Sequence, residues 1–396
     1  MSKIVFFCIP AHGHTNPTLG VVRELVSRGH QVWYYSYNMM REKIESAGAT
    51  FVSCDDYDME QKLNAKDATR IGKDIAFSIK ILVDTTLALD DKVCKEMEEL
   101  KPDCIVADSM ALWGMAIARK LHIPFVSSTT TFAFNQHSAK VMKHGLGDLF
   151  QMLLAIPKTG RQIRRLQDKG YPIKNVLDII GNDENTHTIV YTSPEFQPSS
   201  ETFSEKYAFV GPSIRPATAE IEKKRNKLIY ISMGTVNNDM MPLYKQCVSA
   251  LADTEYQVIM SVGILVSMKE FGTLPSNISV FSHVDQIAVL QQADVFVSHC
   301  GMNSVSESLY FGVPLIMLPQ TAEQAGVAER VYQLGAGIKL NKSDASSILD
   351  AINKIFAEDT YRQNALTISN GFKRCPGAKG AADKIIQVLE KWEKST

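Results

Sequence analysis

What most limits this chain is an alternation, run through twice, of short apolar segments with stretches of helical periodicity. The first half opens on an apolar run from Ile4 to Pro10. A polar loop, AHGHTN, follows, then a helical pattern from Pro17 through Leu25 that Gly29 closes, then a second apolar run from Val32 to Tyr37. Strand, loop, helix, strand at this spacing is a βαβ unit, and parallel strands require such crossovers. Further strands are expected at Thr50–Ser53, Cys104–Ala107, Phe125–Ser127 and Thr188–Tyr191, with helices over 87–100 and 110–121. The alternation then stops. Residues 211–227 hold two prolines, one glycine and five lysines or arginines, with few large apolar side chains, and read as an interdomain linker. It resumes with strands expected at 228–232, 257–262, 278–281, 294–298, 313–318 and 337–340, and helices at 239–252, 285–292, 304–311, 323–334, 344–357 and 378–394. The fold class is therefore α/β: two doubly wound parallel-sheet domains facing a cleft.

The length of 396 residues suits two such domains. Lysine plus arginine number 42 and aspartate plus glutamate 43, so there is no basic excess for nucleic acid and no polybasic membrane surface. The seven cysteines are odd in number and none forms a C-x-x-C pair, as expected for reduced thiols in a cytoplasmic protein. The N-terminus reads as a first strand rather than a leader, and no segment has the ~18 apolar residues of a membrane span. A P-loop lysine motif is missing, as is G-x-G-x-x-G after the first strand, which counts against kinases and dinucleotide enzymes.

Ligands of parallel sheets bind beyond the carboxyl ends of the strands, so the loops there are where chemistry is sought. In Ala11–Asn16, Asn16-Pro17 has the form of an N-cap with proline at the first helical position. His14 would then lie near a helix N-terminus, whose positive end favours the neutral imidazole that a general base needs. Two structural loop histidines are the other reading. Asp108, after the strand CIVA, either orients a histidine or caps the following helix. In HCGMNSVSE, residues 299–307, Gly301 admits close backbone approach, and Asn303 and Ser304 stand where a helix begins and could cradle a phosphate. Glu307 lies one turn on, in reach of a ribose. Ser304-x-x-Glu307 can equally be a capping box. A second loop of this kind, Ser232-Met233-Gly234-Thr235, follows the first strand of the same half.

With these residues in view, the chain resembles the UDP-glycosyltransferase family of two-Rossmann (GT-B) architecture, and more narrowly its bacterial macrolide-glycosyltransferase type. The stretches that carry the resemblance are IPAHGHTNPTLGVVRELVSRGHQV at the start and HVDQIAVLQQADVFVSHCGMNSVSESLYFGVPLIMLPQTAEQ, which has the form of the family's donor-binding signature. The resemblance implies an acceptor-binding domain over 1–210, the linker 211–227, a nucleotide-sugar-binding domain over 228–378, and a C-terminal helix, 379–396, packed back on the first domain. It implies His14 as general base paired with Asp108. It places Ser232, Gly234, Thr235, His299, Gly301, Asn303 and Ser304 at the diphosphate, Val284 and Gln286 at the uracil, Glu307 at the ribose, and Glu323 and Gln324 at the sugar hydroxyls.

The activity so implied is an inverting transfer of a sugar from a UDP-sugar, with UDP-glucose the expected donor, to a hydroxyl of an apolar small molecule. A macrolide, flavonoid or other polyphenol, or steroid would serve. No permanent cofactor and no metal are expected, since no D-x-D motif stands at a strand end; the chain is expected as a monomer or weak homodimer. Residues 57–90 and 132–180 read as irregular; the resemblance implies that such segments shape the acceptor pocket, and their Phe77, Ile79, Leu82, Phe132, Phe134, Met142, Phe150 and Met152 either line it or belong to the ordinary core.

Overall fold

A computed structural model describes residues 1–57, 74–141, 159–175, 178, 185–234 and 239–394. The chain forms two compact units, Met1–Ser213 with Cys375–Thr396, and Ile214–Arg374.

In the first unit, β1 (Lys3–Phe7), β2 (Gln31–Ser36), β3 (Thr50–Ser53), β4 (Cys104–Asp108), β5 (Phe125–Thr129), β6 (His187–Val190) and β7 (Tyr207–Phe209) form a seven-stranded sheet in the order β3-β2-β1-β4-β5-β6-β7. Every pairing is parallel. The strand period of two sorts the side chains of β1. Ile4 and Phe6 join a core with Leu19, Val22 and Leu25 of the helix His12–Ser27. Val5 and Phe7 join a second core with Trp113, Ala116 and Ile117 of the helix Leu112–Lys120. The helices after β1 and β4 thus lie on opposite faces. These two strands are neighbours in the sheet, so their loops diverge and leave a crevice at the topological switch point.

The second unit repeats the plan. Strands β8 (Leu228–Ser232), β9 (Gln257–Ser261), β10 (Ile278–Phe281), β11 (Val295–Ser298), β12 (Leu315–Met317) and β13 (Gly337–Lys339) run in the order β10-β9-β8-β11-β12-β13, all parallel. Here the switch point lies between β8 and β11, with Ser232 beside Ser298 in the register. Both units are Rossmann-like.

Four features differ from the sequence expectation or add to it. Residues 75–86, expected to be irregular, form the start of the helix Ile75–Leu100, which Asp74 caps by accepting from the Phe77 N–H at 3.0 Å. Over 75–86 the apolar residues are interrupted by Ser78, Lys80, Asp84, Thr85 and Thr86 without a clean helical period, because the buried positions Ile79, Ile81, Val83, Thr85 and Thr86 lie on more than one face of the helix. The basic residues of 211–227 are not loose: Lys223 pairs with Asp294 at 2.7 Å, Arg225 donates to the Thr254 carbonyl at 2.8 Å, and Arg215 pairs with Asp285. The helix Gly377–Glu393 buries Ala381, Ala382 and Ile385 in the core of the first unit, and at the surface Arg28 pairs with Asp383 at 2.6 Å. Gly20 lets this helix come close, since a Cβ there would lie 3.3 Å from that of Ala378. Among the described residues, no helix is long and apolar enough to cross a membrane.

Candidate active site

The first crevice holds His14 and Asp108. The helix after β1 begins at His12, with Ala11 as its cap residue, so Pro17 lies inside it rather than at its first position. The Ala11 carbonyl already accepts from the N–H groups of His14 and Thr15, at 3.0 Å each, which starts the helix ahead of Asn16. His14 is therefore in the first turn, where the helix dipole is strongest. Asp108, the last residue of β4, does not cap the next helix, which begins at Leu112. Its Oδ1 accepts from the Met110 N–H at 2.8 Å, and its Oδ2 lies 2.8 Å from His14 Nδ1. The Asp108 side chain has no exposure, whereas the imidazole keeps 26%. A carboxylate only accepts, so Nδ1 donates and Nε2 is the basic nitrogen.

Thr130 stands just past β5, with its hydroxyl 3.1 Å from His14 Nδ1. Sequence reasoning did not single it out; its place one residue beyond the strand next to β4 was the available signal. His12 faces elsewhere, 3.3 Å from the Lys43 amine. Of the expected acceptor-pocket residues, Ile79 and Phe132 are buried in the first unit, Phe132 with its ring 5.4 Å from that of Phe196, and Phe134 is half exposed. Met142, Phe150 and Met152 lie outside the described residues.

The second crevice brings together the loops after β8 and β11. Ser232 ends β8 and Gly234 follows with φ +84°. Thr235 lies outside the described residues. His299 follows β11, and its ring fills the space between the two loops. A Cβ on Gly234 would fall 2.7 Å from His299 Cε1 and Nε2, and one on Gly301 2.7 Å from Nε2. Both positions are thus held to glycine by the histidine ring. Cys300, between His299 and Gly301, holds φ +67°, an uncommon conformation for a residue with a side chain, and its N–H donates to Ser298 Oγ at 3.1 Å. Burial pushes the His299 imidazole down to about 4, against a weaker upward pull from the Ser232 backbone. It is neutral near pH 7, and its buried Nδ1 has no hydrogen-bond partner among the described residues.

The helix Met302–Tyr310 is capped by Gly301, which has no side chain to offer. Asn303 and Ser304 are its second and third residues. The capping-box reading of Ser304-x-x-Glu307 is therefore corrected, because Ser304 already lies within the first turn. Its hydroxyl instead lies 3.3 Å from Gln286 Nε2, a nitrogen that also donates to Glu307 Oε2 at 2.6 Å. Tyr230, stacked on Phe296, donates to Gln286 Oε1 at 3.2 Å. Burial raises the Glu307 carboxyl; the Gln286 hydrogen bond and the charge of Arg215 oppose this, and Asp285 adds to it. Val284, half-buried, precedes Asp285, which caps the short helix Gln286–Leu290. Glu323 and Gln324 open the helix Ala322–Gln333, capped by Thr321. Glu323 is exposed, and Gln324 Oε1 accepts from the Gln320 N–H at 2.8 Å. Tyr230, Asp285 and Arg215 escaped the sequence reading: the first sits inside a strand, and the last lies in the segment read as linker.

Each crevice lies at the switch point of a Rossmann-like sheet, one with a histidine–aspartate pair, the other with glycine loops and a helix N-terminus suited to an anion. A nucleotide-dependent group-transfer enzyme is the class so defined. Residues 213–377 match the family described as UDP-glucoronosyl and UDP-glucosyl transferase. The chain is 32% identical over 405 residues to the uncharacterized UDP-glucosyltransferase YojK of Bacillus subtilis (strain 168), covering 98% of each. It is also 32% identical over 403 residues to the NDP-glycosyltransferase YjiC of Bacillus licheniformis, covering 98% of this chain and 97% of the other. Among solved structures, the glycotransferase of kitacinnamycin is similar over 98% of this chain and 99% of its own, with 25% identity and a TM-score of 0.85. The chain belongs to the UDP-glycosyltransferase family, and it is a glycosyltransferase that uses a nucleotide-sugar donor.

Proposed function

We propose that this glycosyltransferase moves glucose from UDP-glucose, with inversion, to a hydroxyl of an apolar natural product. The observation that carries the reading is the 2.8 Å contact between His14 Nδ1 and Asp108, whose side chain is fully buried. Asp108 holds the imidazole in the tautomer with its lone pair on Nε2 and stabilises the imidazolium that forms. Nε2 takes the proton of the acceptor hydroxyl. The oxygen attacks the anomeric carbon of the α-linked sugar from the far side, the bond to UDP breaks, and a β-glycoside results.

UDP leaves with its charge on the diphosphate. The Ser232–Gly234 loop, the N–H groups at Asn303 and Ser304 and the neutral imidazole of His299 receive it. Glu307 accepts from the ribose hydroxyls, Val284 and Gln286 face the base, and Glu323 and Gln324 meet the sugar. The likeness to the glycotransferase of kitacinnamycin supports a natural-product acceptor, and the likeness to the UDP-glucosyltransferase of Bacillus subtilis supports UDP-glucose as the donor.

The test is steady-state turnover of His14→Ala with UDP-glucose and a panel of macrolides and polyphenols, beside calorimetry with UDP. Turnover is expected to fall by roughly two to four orders of magnitude with UDP affinity unchanged. Near-normal kcat in that variant would remove the base assignment, and an α-glycoside product would remove inversion.

A further inference from the structure

We propose that Arg215, from the segment that leads into the second unit, is a positioning residue for the donor ribose, acting through Asp285 and Gln286 on Glu307. The proposal rests on the reading of Glu307 as the ribose contact. Asp285 has a side chain only 5% exposed, yet three groups converge on it besides the helix it caps. Arg215 pairs with Oδ1, while the Thr218 N–H and hydroxyl both donate to Oδ2, the hydroxyl at 2.7 Å. The Ile287 N–H donates to Oδ1 at 3.1 Å, which sets the first turn of the helix carrying Gln286. Arg215 is itself held by the Pro216 carbonyl at 3.0 Å.

Two physical effects follow. The first is geometric. Gln286 spends its Nε2 on Ser304 and Glu307 and its Oε1 on Tyr230, so a shift of its helix would misplace the Glu307 carboxylate. The second is electrostatic. Glu307 is faced by Arg215 and Asp285, one of each sign. Burial alone would raise the Asp285 carboxyl, but the hydrogen bonds from Arg215 and Thr218 overturn this and hold it well below the usual range, so it is ionised. With Arg215 gone, the Asp285 charge would bear on Glu307 uncompensated. The Glu307 carboxyl would rise, so it would become protonated at a higher pH, and the protonated form has one oxygen fewer to accept from the ribose hydroxyls.

The experiment is calorimetric titration of the full chain with UDP and with 2′,3′-dideoxyuridine diphosphate, which lacks both hydroxyls. Variants are Arg215→Ala, Arg215→Lys and, as the control for the ribose reading, Glu307→Gln. Arg215 is 42% exposed at the side chain, so its loss opens no core. Arg215→Ala is expected to weaken UDP on the order of tenfold, the loss of one charge-assisted pairing, and to leave the dideoxy nucleotide within about twofold. Arg215→Lys should recover part of the difference, and the pH at which UDP affinity declines on the acid side should move upward in Arg215→Ala. Equal weakening of both nucleotides, or no weakening, overturns the positioning role while the Glu307→Gln result stands. If Glu307→Gln also fails to separate the two nucleotides, the ribose reading falls and this inference with it.

Discussion

The imidazole of His299 occupies the space that a side chain on Gly234 would need: a Cβ there would stand 2.7 Å from its Cε1 and Nε2. The two residues come from different loops, after β11 and β8. The contact therefore fixes the spacing of the loops that the proposed diphosphate site uses.

Gly234→Ala tests that spacing. The new methyl group meets a packed ring, and alanine must also adopt φ +84°, where side-chain-bearing residues are strained. We expect a loss of about 1–3 kcal/mol in folding stability and a fall in UDP affinity larger than that seen for any acceptor. Thermal unfolding and calorimetry on the same sample check both. A variant with wild-type Tm and UDP affinity would mean that His299 moves aside without consequence.

The second prediction separates Asp108 from Thr130, both of which lie against His14 Nδ1. Asp108→Asn replaces an acceptor-only group by one that can present an N–H, so the imidazole loses both its charge partner and its fixed tautomer. A drop in kcat of roughly two orders of magnitude or more is expected, with the UDP Kd unchanged. Thr130→Val removes a second, longer contact of 3.1 Å and should lower kcat by less than about tenfold. The reverse order of severity would make Thr130, not Asp108, the group that orients the base.

How these sites could be read from the sequence depends on what each residue does locally. Asp108 and His299 were legible because each follows a short β-branched run, and a strand's carboxyl end is where a parallel sheet places its chemistry. The strands themselves were legible for the same reason: buried on both faces, they appear as brief apolar runs between helical patterns. The start of the helix after β1 was not, because Pro17 looks like a first helical residue and nothing in the sequence shows the turn closing on Ala11. Ser304 and Glu307 matched a capping box by spacing, while Gly301 took the cap position one turn earlier. Arg215 was hidden in a basic, proline-containing stretch whose composition is that of any solvated connector. Its partner Asp285 is seventy positions away in the chain, and only the fold brings them together.

Acid stability provides a third prediction. Burial lowers the His299 imidazole from an ordinary value of 6.5 to about 4. Between these values the unfolded chain binds a proton at this position that the folded protein does not. Stability therefore falls as the pH drops from about 6.5 toward 4, and this histidine adds no further loss below that. His187 is shifted in the same direction, also to about 4 and chiefly by burial, so replacing His299 removes one component of the slope and not the whole. Urea midpoints at pH 7.5, 5.5 and 4.5 should fall more steeply for the wild type than for His299→Asn. Parallel slopes would show that His299 is as readily protonated in the folded protein as in the unfolded one.

The last prediction concerns the end of the chain. Ile385, with no exposure, shares a core with Val22 and Leu25 of the helix His12–Ser27, the helix that carries His14 in its first turn. Truncating it leaves a cavity against that helix and removes the burial of three carbons. Ile385→Ala should cost about 2–4 kcal/mol, whereas Glu390→Ala, on the exposed side of the same C-terminal helix, should stay within about 0.5 kcal/mol. Because the lost packing lies along the helix that positions the base, a modest decrease in kcat is expected to accompany the loss of stability, with the UDP Kd unchanged. Urea unfolding followed by tryptophan fluorescence measures the first and steady-state kinetics the second. If Ile385→Ala proves as benign as Glu390→Ala, the C-terminal helix contributes no packing energy to the first unit.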